Sequence, residues 1–485
     1  MGQSIADSFS SVSSRLLDLG LGYLSLDRAG ATLSTGERQR MQLARAVRNR
    51  TTGVMYVLDE PSIGLHPANI EGLTGVMDDL INDGNSVILV DHDTQILSHA
   101  DYLIEMGPGA GANGGKIIAS GPLQQIENNP DSLIGPFLTS CATIRRRPEI
   151  PSDDIFKKGS IELFTDSIHT VQPLKASIPK GRLTAITGVS GSGKTTLILD
   201  SLVPALDAYI SEKPLPKHVR AINVDGIEHI KLIDSTPIGT NIRSTVATYA
   251  NIHDDLRKIF ARSPQAKSLG YKAGDFSYNT GVLRCPVCDG TGSVSLDVQF
   301  LPDVDIPCPE CNGSRYSRTA SNIHCQCKKQ EGFTMPTIMA TEVSKAMEMC
   351  GDFPAIKNRL EVLNTLGLGY LTLGEATPAL SGGEAQRLKL AAEMGRIQTN
   401  SVFVFDEPTI GLHPLDIRTL MTVFQNLIDL GATIIVIEHD LDLIRNADYI
   451  IDMGPGGGID GGHIVATGTP QQIAANKDSV TGKYL

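Results

Sequence analysis

LTAITGVSGSGKTTLILDSL, residues 183–202, decides the fold: an apolar run at 183–187, a glycine-rich turn from Gly188 to Thr195, and a second apolar run with helical character. The turn has the pattern G-x-x-x-x-G-K-T. Glycines at 188, 191 and 193 would let backbone N–H groups converge on phosphate oxygens without a Cβ in the way, and the helix that follows would add its positive end. Lys194 would reach the outer phosphates, Thr195 would ligate Mg²⁺, and Ser190 and Thr196 would complete the cradle. Strand, loop and helix in this order predict a nucleotide-binding α/β sheet with its functional residues at the carboxyl ends of the strands.

Outward from this loop the chain repeats itself. LGLGYL occurs at 19 and 366, LSTGERQR at 33 is answered by LSGGEAQR at 380, and LDEPSIGLHP at 58 by FDEPTIGLHP at 405. VDHD at 90 pairs with IEHD at 437, and MGPG at 106 with MGPG at 453, always 347 residues apart. A constant offset means one fold, duplicated, without insertions between these landmarks. Each copy reads as a helix after a Ser-x-Gly-Glu turn (37–48 and 384–395), a β-rich run ending in Asp-Glu, an amphipathic helix (69–82 and 416–429) and a second strand ending in a histidine. Apolar strands alternating with helices argue a parallel sheet.

The Asp-Glu pairs belong with the phosphate loop. Asp59 and Asp406 each end an apolar run, where a carboxylate would hold Mg²⁺ directly or through water, and Glu60 and Glu407 follow as candidates to polarise an attacking water. His92 and His439 close the next strand, placed to sense the outer phosphate. The first copy has no phosphate loop of its own in this sequence; the single one lies between the copies.

Composition sets bounds. The chain has 485 residues, 41% of them hydrophobic, a net charge of -12 and no tryptophan. A nucleic-acid partner would therefore need a local basic surface. Candidates are Arg284, Arg315, Arg318, Lys328 and Lys329, whereas Arg145–Arg147 reads as a solvated linker. The amino terminus lacks a secretion pattern and no apolar run approaches the ~20 residues of a membrane span, which predicts a soluble cytoplasmic protein. Of eight cysteines, Cys285, Cys288, Cys308 and Cys311 form two C-P-x-C-x-G pairs. Four thiolates in that setting suit a structural Zn²⁺, while a redox pair needs a reactive C-x-x-C at a helix N-terminus. Cys141, Cys325, Cys327 and Cys350 read as thiols without a special role.

DEPTIGLHP, LSGGEAQR and GVSGSGKTT together resemble an ATP-binding cassette ATPase of the bacterial UvrA (excinuclease ABC) family, which finds DNA damage in nucleotide excision repair. The resemblance covers nearly the whole chain. It implies one partial and one complete cassette with an inserted zinc module: residues 1–140 as the end of the first cassette, 141–284 as the start of the second, 285–345 as the zinc insertion and 346–485 as the rest of the second. It also implies that the family's first phosphate loop, first zinc module and partner-binding insertion lie upstream of what is present here. Cassettes of this family face head to tail, so Ser34, Gly36 and Glu37 of the first signature would close over ATP held by Gly188–Thr196, Asp406, Glu407 and His439. The other pairing, Ser381, Gly383 and Glu384 with Asp59, Glu60 and His92, would lack a phosphate loop.

Implied partners are ATP, Mg²⁺, Zn²⁺ and damaged double-stranded DNA, with a UvrB-type helicase, a separate N-terminal cassette fragment or a second copy of the chain as protein partners. ATPase activity without nuclease activity is expected. A self-protection factor that binds drug-bearing DNA and an inactive truncated product are the alternative readings. Two departures from the family stand out: Ser235 occupies the place of a glutamine that links the outer phosphate to the neighbouring subdomain, and Thr35 replaces a glycine of the signature pair seen at Gly382–Gly383.

Overall fold

In the computed structural model, the described residues are 2–33, 35–48, 51–109, 114–139, 147–224, 226–239, 241–296, 304–325, 332–394 and 399–485. The chain divides into two compact units, one of Met1–Pro108, Gly115–Asp234 and Gln398–Leu485, the other chiefly Ser235–Ile397.

In the first unit the duplication becomes visible as two sets of four strands. The first copy supplies β1 (Met55–Asp59), β2 (Ser86–Val90), β3 (Leu103–Gly107) and β4 (Lys116–Gly121). Then come β5 (Ser160–Thr165), β6 (Leu174–Pro179), β7 (Leu183–Gly188), β8 (Val219–Asn223) and β9 (His229–Ile233), of which β6, β5 and β8 form an antiparallel sheet. In the second unit lie β10 (Ser293–Leu296) and β11 (Val304–Pro307), an antiparallel pair. The second copy ends the chain with β12 (Ser401–Asp406), β13 (Thr433–Ile437), β14 (Tyr449–Gly454) and β15 (His463–Gly468).

β12 to β15 join β7 and β9 in one six-stranded sheet, ordered β15-β14-β7-β13-β12-β9. β7, which runs into the phosphate loop, is the keystone: it pairs in parallel with β13 through Leu183–Ile186 and with β14 through Thr184–Gly188. All six of its residues are buried, as a strand covered on both faces must be. The helical stretch Thr196–Ile210 lays Leu197, Ile198 and Leu202 over Val402, Val404, Ile435, Ile437, Ile451 and Met453.

In the first copy the same strands form two separate pairs, β1 with β2 and β3 with β4. One face is packed as expected: Tyr56, Leu58, Val87 and Leu89 sit on Leu73, Val76, Met77 and Leu80, the last four from the helix Ile70–Asn82. Met55, Val57, Ile88, Val90, Ile104 and Met106 on the other face are exposed.

The second unit is built round Phe260, Phe276, Tyr278, Tyr316, Leu360 and Leu363. It carries the four cysteines and the signature helix Gly382–Glu393, which Ser381 caps by accepting from the Glu384 N–H while Glu384 accepts in return from the Ser381 N–H.

Candidate nucleotide and metal sites

The phosphate loop owes its shape to three glycines with positive φ, Gly188 (130°), Gly191 (74°) and Gly193 (97°). A Cβ on Gly188 would stand 2.0 Å from the Met453 carbonyl oxygen, so no other residue fits. Lys194 folds back over the loop and donates to the carbonyls of Gly188 at 2.8 Å and Val189 at 2.9 Å. Burial pushes its amine down to about 8, partly offset by Glu407, Asp452 and Asp406. The buried Ser192 hydroxyl has no partner among the described residues, and Thr195 is exposed at the loop's end. A loop with an orphaned hydroxyl, three glycines of positive φ and a lysine that donates to the loop's own carbonyls fits a polyphosphate.

Asp406 ends β12 and Glu407 follows it. Burial raises the Asp406 carboxyl to about 7, with Glu407, Asp234 and Glu438 adding to the shift and Lys194 opposing it. A carboxyl so placed gains from a cation, which fits Mg²⁺. Glu407 takes a left-handed backbone at φ 50°, as Glu60 does at 45° in the first copy. A glutamate in that region is strained, and strain repeated at matched positions marks a side chain held for a purpose. His439 Nε2 stands 3.4 Å from Glu407 Oε1, and its buried Nδ1 has no partner among the described residues. His92 lies 3.7 Å from Glu60 Oε1 but more exposed.

The two copies meet at this site. Gly64 of the first approaches Glu407 so closely that a Cβ there would lie 3.5 Å from the carboxylate, and Gly411 of the second stands in the same relation to Glu60 at 3.1 Å. Ser190 of the phosphate loop donates to the Gly64 carbonyl at 3.3 Å. Between them lies a cavity of about 340 Å³ lined by Glu60, Asp91, His92, Glu407, Glu438 and His439. Gly36 packs on the Ile63 carbonyl, where a Cβ would be 2.5 Å away, and Arg40 donates to the same oxygen at 3.1 Å. Glu37 is buried and accepts from Tyr23. Ser34 and the Thr35 side chain lie outside the described residues. Asp59 is exposed at the end of β1. Ser381, Gly383 and Glu384 belong to the second unit, where Glu384 is bonded by Tyr370. Ser235 lies against Gly382, 3.4 Å from its notional Cβ, and Lys389 of the signature helix donates to the Thr236 carbonyl at 2.9 Å.

Sequence reasoning misses several residues here. Tyr23 and Asp452 do not stand out in it, although Tyr23 sits in a repeated motif. His66, fully buried and within 3.1 Å of Thr481, is also missed; burial and its neighbours His439 and Lys194 keep it neutral, at about 2.

In the second unit the sulfurs of Cys285, Cys288, Cys308 and Cys311 lie within 4.8 Å of one another. Cys285 and Cys308 are 3.9 Å apart, Cys288 and Cys311 3.7 Å. A tetrahedron of Zn–S bonds of about 2.3 Å has edges of about 3.8 Å, so the donor set fits zinc. Each pair ends in a residue of positive φ and a glycine, Asp289-Gly290 and Asn312-Gly313, which turn the backbone round the sulfurs. The strands β10 and β11, between the pairs, return the chain so that they meet.

The basic residues near this cluster turn inward or pair. Arg315 is buried, donates to the Ile242 carbonyl at 3.0 Å and lies over the Tyr278 ring. Arg284 pairs with Asp289 and Arg318 with Glu310, both at 3.0 Å. Lys328, Lys329, Cys327, Cys141, Arg145 and Arg146 lie outside the described residues. Arg147, read as part of a solvated linker, is instead buried in an ion pair with Asp448 at 3.1 Å, because its partner arrives from 301 residues away.

No family model matches the chain. It is 42% identical to UvrABC system protein A of Aquifex aeolicus over 476 residues, which is 97% of this chain and 50% of that protein. Against UvrABC system protein A of Bacillus subtilis it is 42% identical over 470 residues, 96% of this chain and 48% of the other. The chain thus spans about half the length of the curated relatives it matches. The crystal structure of UvrA2 from Deinococcus radiodurans is similar with a TM-score of 0.91 at 40% identity, covering 100% of this chain and 58% of that one. A structure of an archaeal ribosome recycling factor, aABCE1, shares the fold alone, with a TM-score of 0.52 at 17% identity over 96% of this chain and 70% of that one. An ATP-binding cassette fold, a duplicated signature and a four-cysteine cluster agree with these likenesses to UvrABC system protein A.

Proposed function

We propose that this chain hydrolyses ATP and binds damaged double-stranded DNA in nucleotide excision repair. The observation that carries the reading is the meeting of the two copies at one phosphate loop: Gly64 against Glu407, with Ser190 bonded to Gly64. Lys194 neutralises charge on the outer phosphates, Glu407 orients the attacking water, and His439 holds Glu407. Mg²⁺ held by Thr195 and Asp406 supplies further charge neutralisation when bound. Gly36 and Glu37, with Ser34, close the site from the first copy. The arrangement Ser381, Gly383, Glu384, Asp59, Glu60 and His92 takes no part in hydrolysis within this chain. Zinc on Cys285, Cys288, Cys308 and Cys311 fixes the shape of a DNA-contacting module.

The exposed face of β1–β4 is where a strand and helix like residues 183–210 would fit, so the protein partners are a separate cassette fragment or a second copy of the chain, together with a UvrB-type helicase. Among the described residues no helix is long and apolar enough to cross a membrane, and we place the protein in the cytoplasm. ATP turnover with lesion-bearing and intact duplexes tests the reading. Turnover should rise more with the lesion and vanish in Lys194→Ala. Equal stimulation by both duplexes, or an active Lys194→Ala, would refute it.

A further inference from the structure

The loop of the LGLGYL motif at 19–24 does more than end a helix. Leu19 and Leu21 are buried in the first copy's core, and the Leu21 N–H bonds the Leu16 carbonyl at 2.9 Å, which fixes the chain that carries Tyr23. The Tyr23 ring lies against Gly191 of the phosphate loop: a Cβ there would stand 2.5–2.9 Å from three ring atoms. Its backbone and Cβ lie against Gly457 and Gly458, whose glycine-rich turn donates from Gly458 N–H to the Gly191 carbonyl and from Gly462 N–H to the Ser192 carbonyl, both at 3.0 Å. The phosphate loop is thus held from outside by two backbone hydrogen bonds and one aromatic ring.

The ring's hydroxyl points the other way, donating to Glu37 Oε1 at 2.5 Å. Glu37 is buried on the signature helix Thr35–Arg48, with the Arg28 guanidinium 3.7 Å from it. Arg40, one turn further, holds the Ile63 carbonyl, and Gly64 lies on Glu407. A continuous path therefore runs from Gly191 through Tyr23, Glu37 and Arg40 to Glu407.

Resting on the reading that Gly188–Thr195 holds ATP phosphates, we propose that Tyr23 is a positioning residue for that site, its ring fixing the phosphate loop and its hydroxyl tying the loop to the first copy's signature helix. The second copy provides a control. Tyr370 bonds Glu384 in the same way, but the chain has no second phosphate loop for it to hold.

The two halves of the residue separate in kinetics. Tyr23→Phe keeps the ring and should leave the KM for ATP within about twofold while lowering kcat about tenfold, the scale of a lost hydrogen bond to a charged group. Tyr23→Ala should also raise KM, by about tenfold. Tyr370→Phe should keep the wild-type KM. Because the chain contains no tryptophan, Tyr23→Trp places a single tryptophan against the phosphate loop, and its emission should change on adding ATP. Wild-type kcat and KM in both Tyr23→Phe and Tyr23→Ala, or a Tyr23→Trp emission indifferent to saturating ATP, would overturn the proposal. A wild-type chain that binds no radiolabelled ATP would instead overturn the functional reading beneath it.

Discussion

Ile104 and Ile451 hold the same place in two copies of one fold, yet Ile104 is 60% exposed and Ile451 fully buried. The same contrast separates Val57 from Val404 and Val90 from Ile437. Local sequence does not cause it, since both copies present apolar residues at these positions. The cause is β7 and the helix after it, which the second copy has and the first lacks among the described residues. Residues Ile434–Ile437 and Tyr449–Met453 flank β7; their counterparts Val87–Val90 and Tyr102–Met106 pair with no strand on that side among the described residues. A phosphate loop is thus a structural part of its cassette as well as a binding device: its strand ties two half-sheets together, and its helix covers them.

The largest effect is expected at the paired glutamates. Glu407→Gln should cut turnover by at least about 100-fold while ATP still binds, because only the group that orients water is lost. Glu60→Gln, at the matched position without a phosphate loop, should change turnover by less than about twofold. Comparable losses in both would mean that the copies share the work.

Stability follows. Ile451→Ala removes a buried side chain and should cost about 2–5 kcal/mol in denaturant unfolding, whereas Ile104→Ala should fall within about 0.5 kcal/mol. If the two cost the same, something covers the first copy's face in solution. The cysteine cluster, apart from both copies, should hold about one zinc per chain. Metal analysis of a Cys308→Ser, Cys311→Ser variant should show that zinc gone and DNA binding weakened more than ATP binding; full zinc retention would reject the site.

The smallest effect is on pH dependence. Burial holds Lys194 near 8, and phosphate beside it favours the charged amine. Binding should therefore take up a proton above about pH 8, with affinity falling by at most about tenfold per pH unit there. Calorimetry in two buffers of different ionisation enthalpy reads that uptake directly, and its absence at pH 9 would place the lysine's ionisation elsewhere.

Much of this is legible in the sequence because it is carried by spacing. The 347-residue offset reveals the duplication, and the loop at 188–195 and the cysteine pairs carry their chemistry within a few residues. Helix limits also come close: 69–82 is expected and Ile70–Asn82 observed. What spacing does not carry is the partner that arrives from far along the chain. Arg147 reads as a linker residue until Asp448 meets it, and Arg315 reads as a surface charge until the Ile242 carbonyl and the Tyr278 ring enclose it. Tyr23 stays silent for the same reason: it acts across the junction between the copies. For Tyr23 a signal exists, since its motif recurs at Tyr370, but nothing local says that a tyrosine reaches a phosphate loop 168 positions later.

In the proposed function, two copies of the fold assemble one working nucleotide site. Equilibrium dialysis of the Glu407→Gln chain with radiolabelled ATP and Mg²⁺ tests it most directly. One ATP should bind per chain, reduced to none when Lys194→Ala is added; two per chain, or one that survives the loss of Lys194, would contradict that assembly.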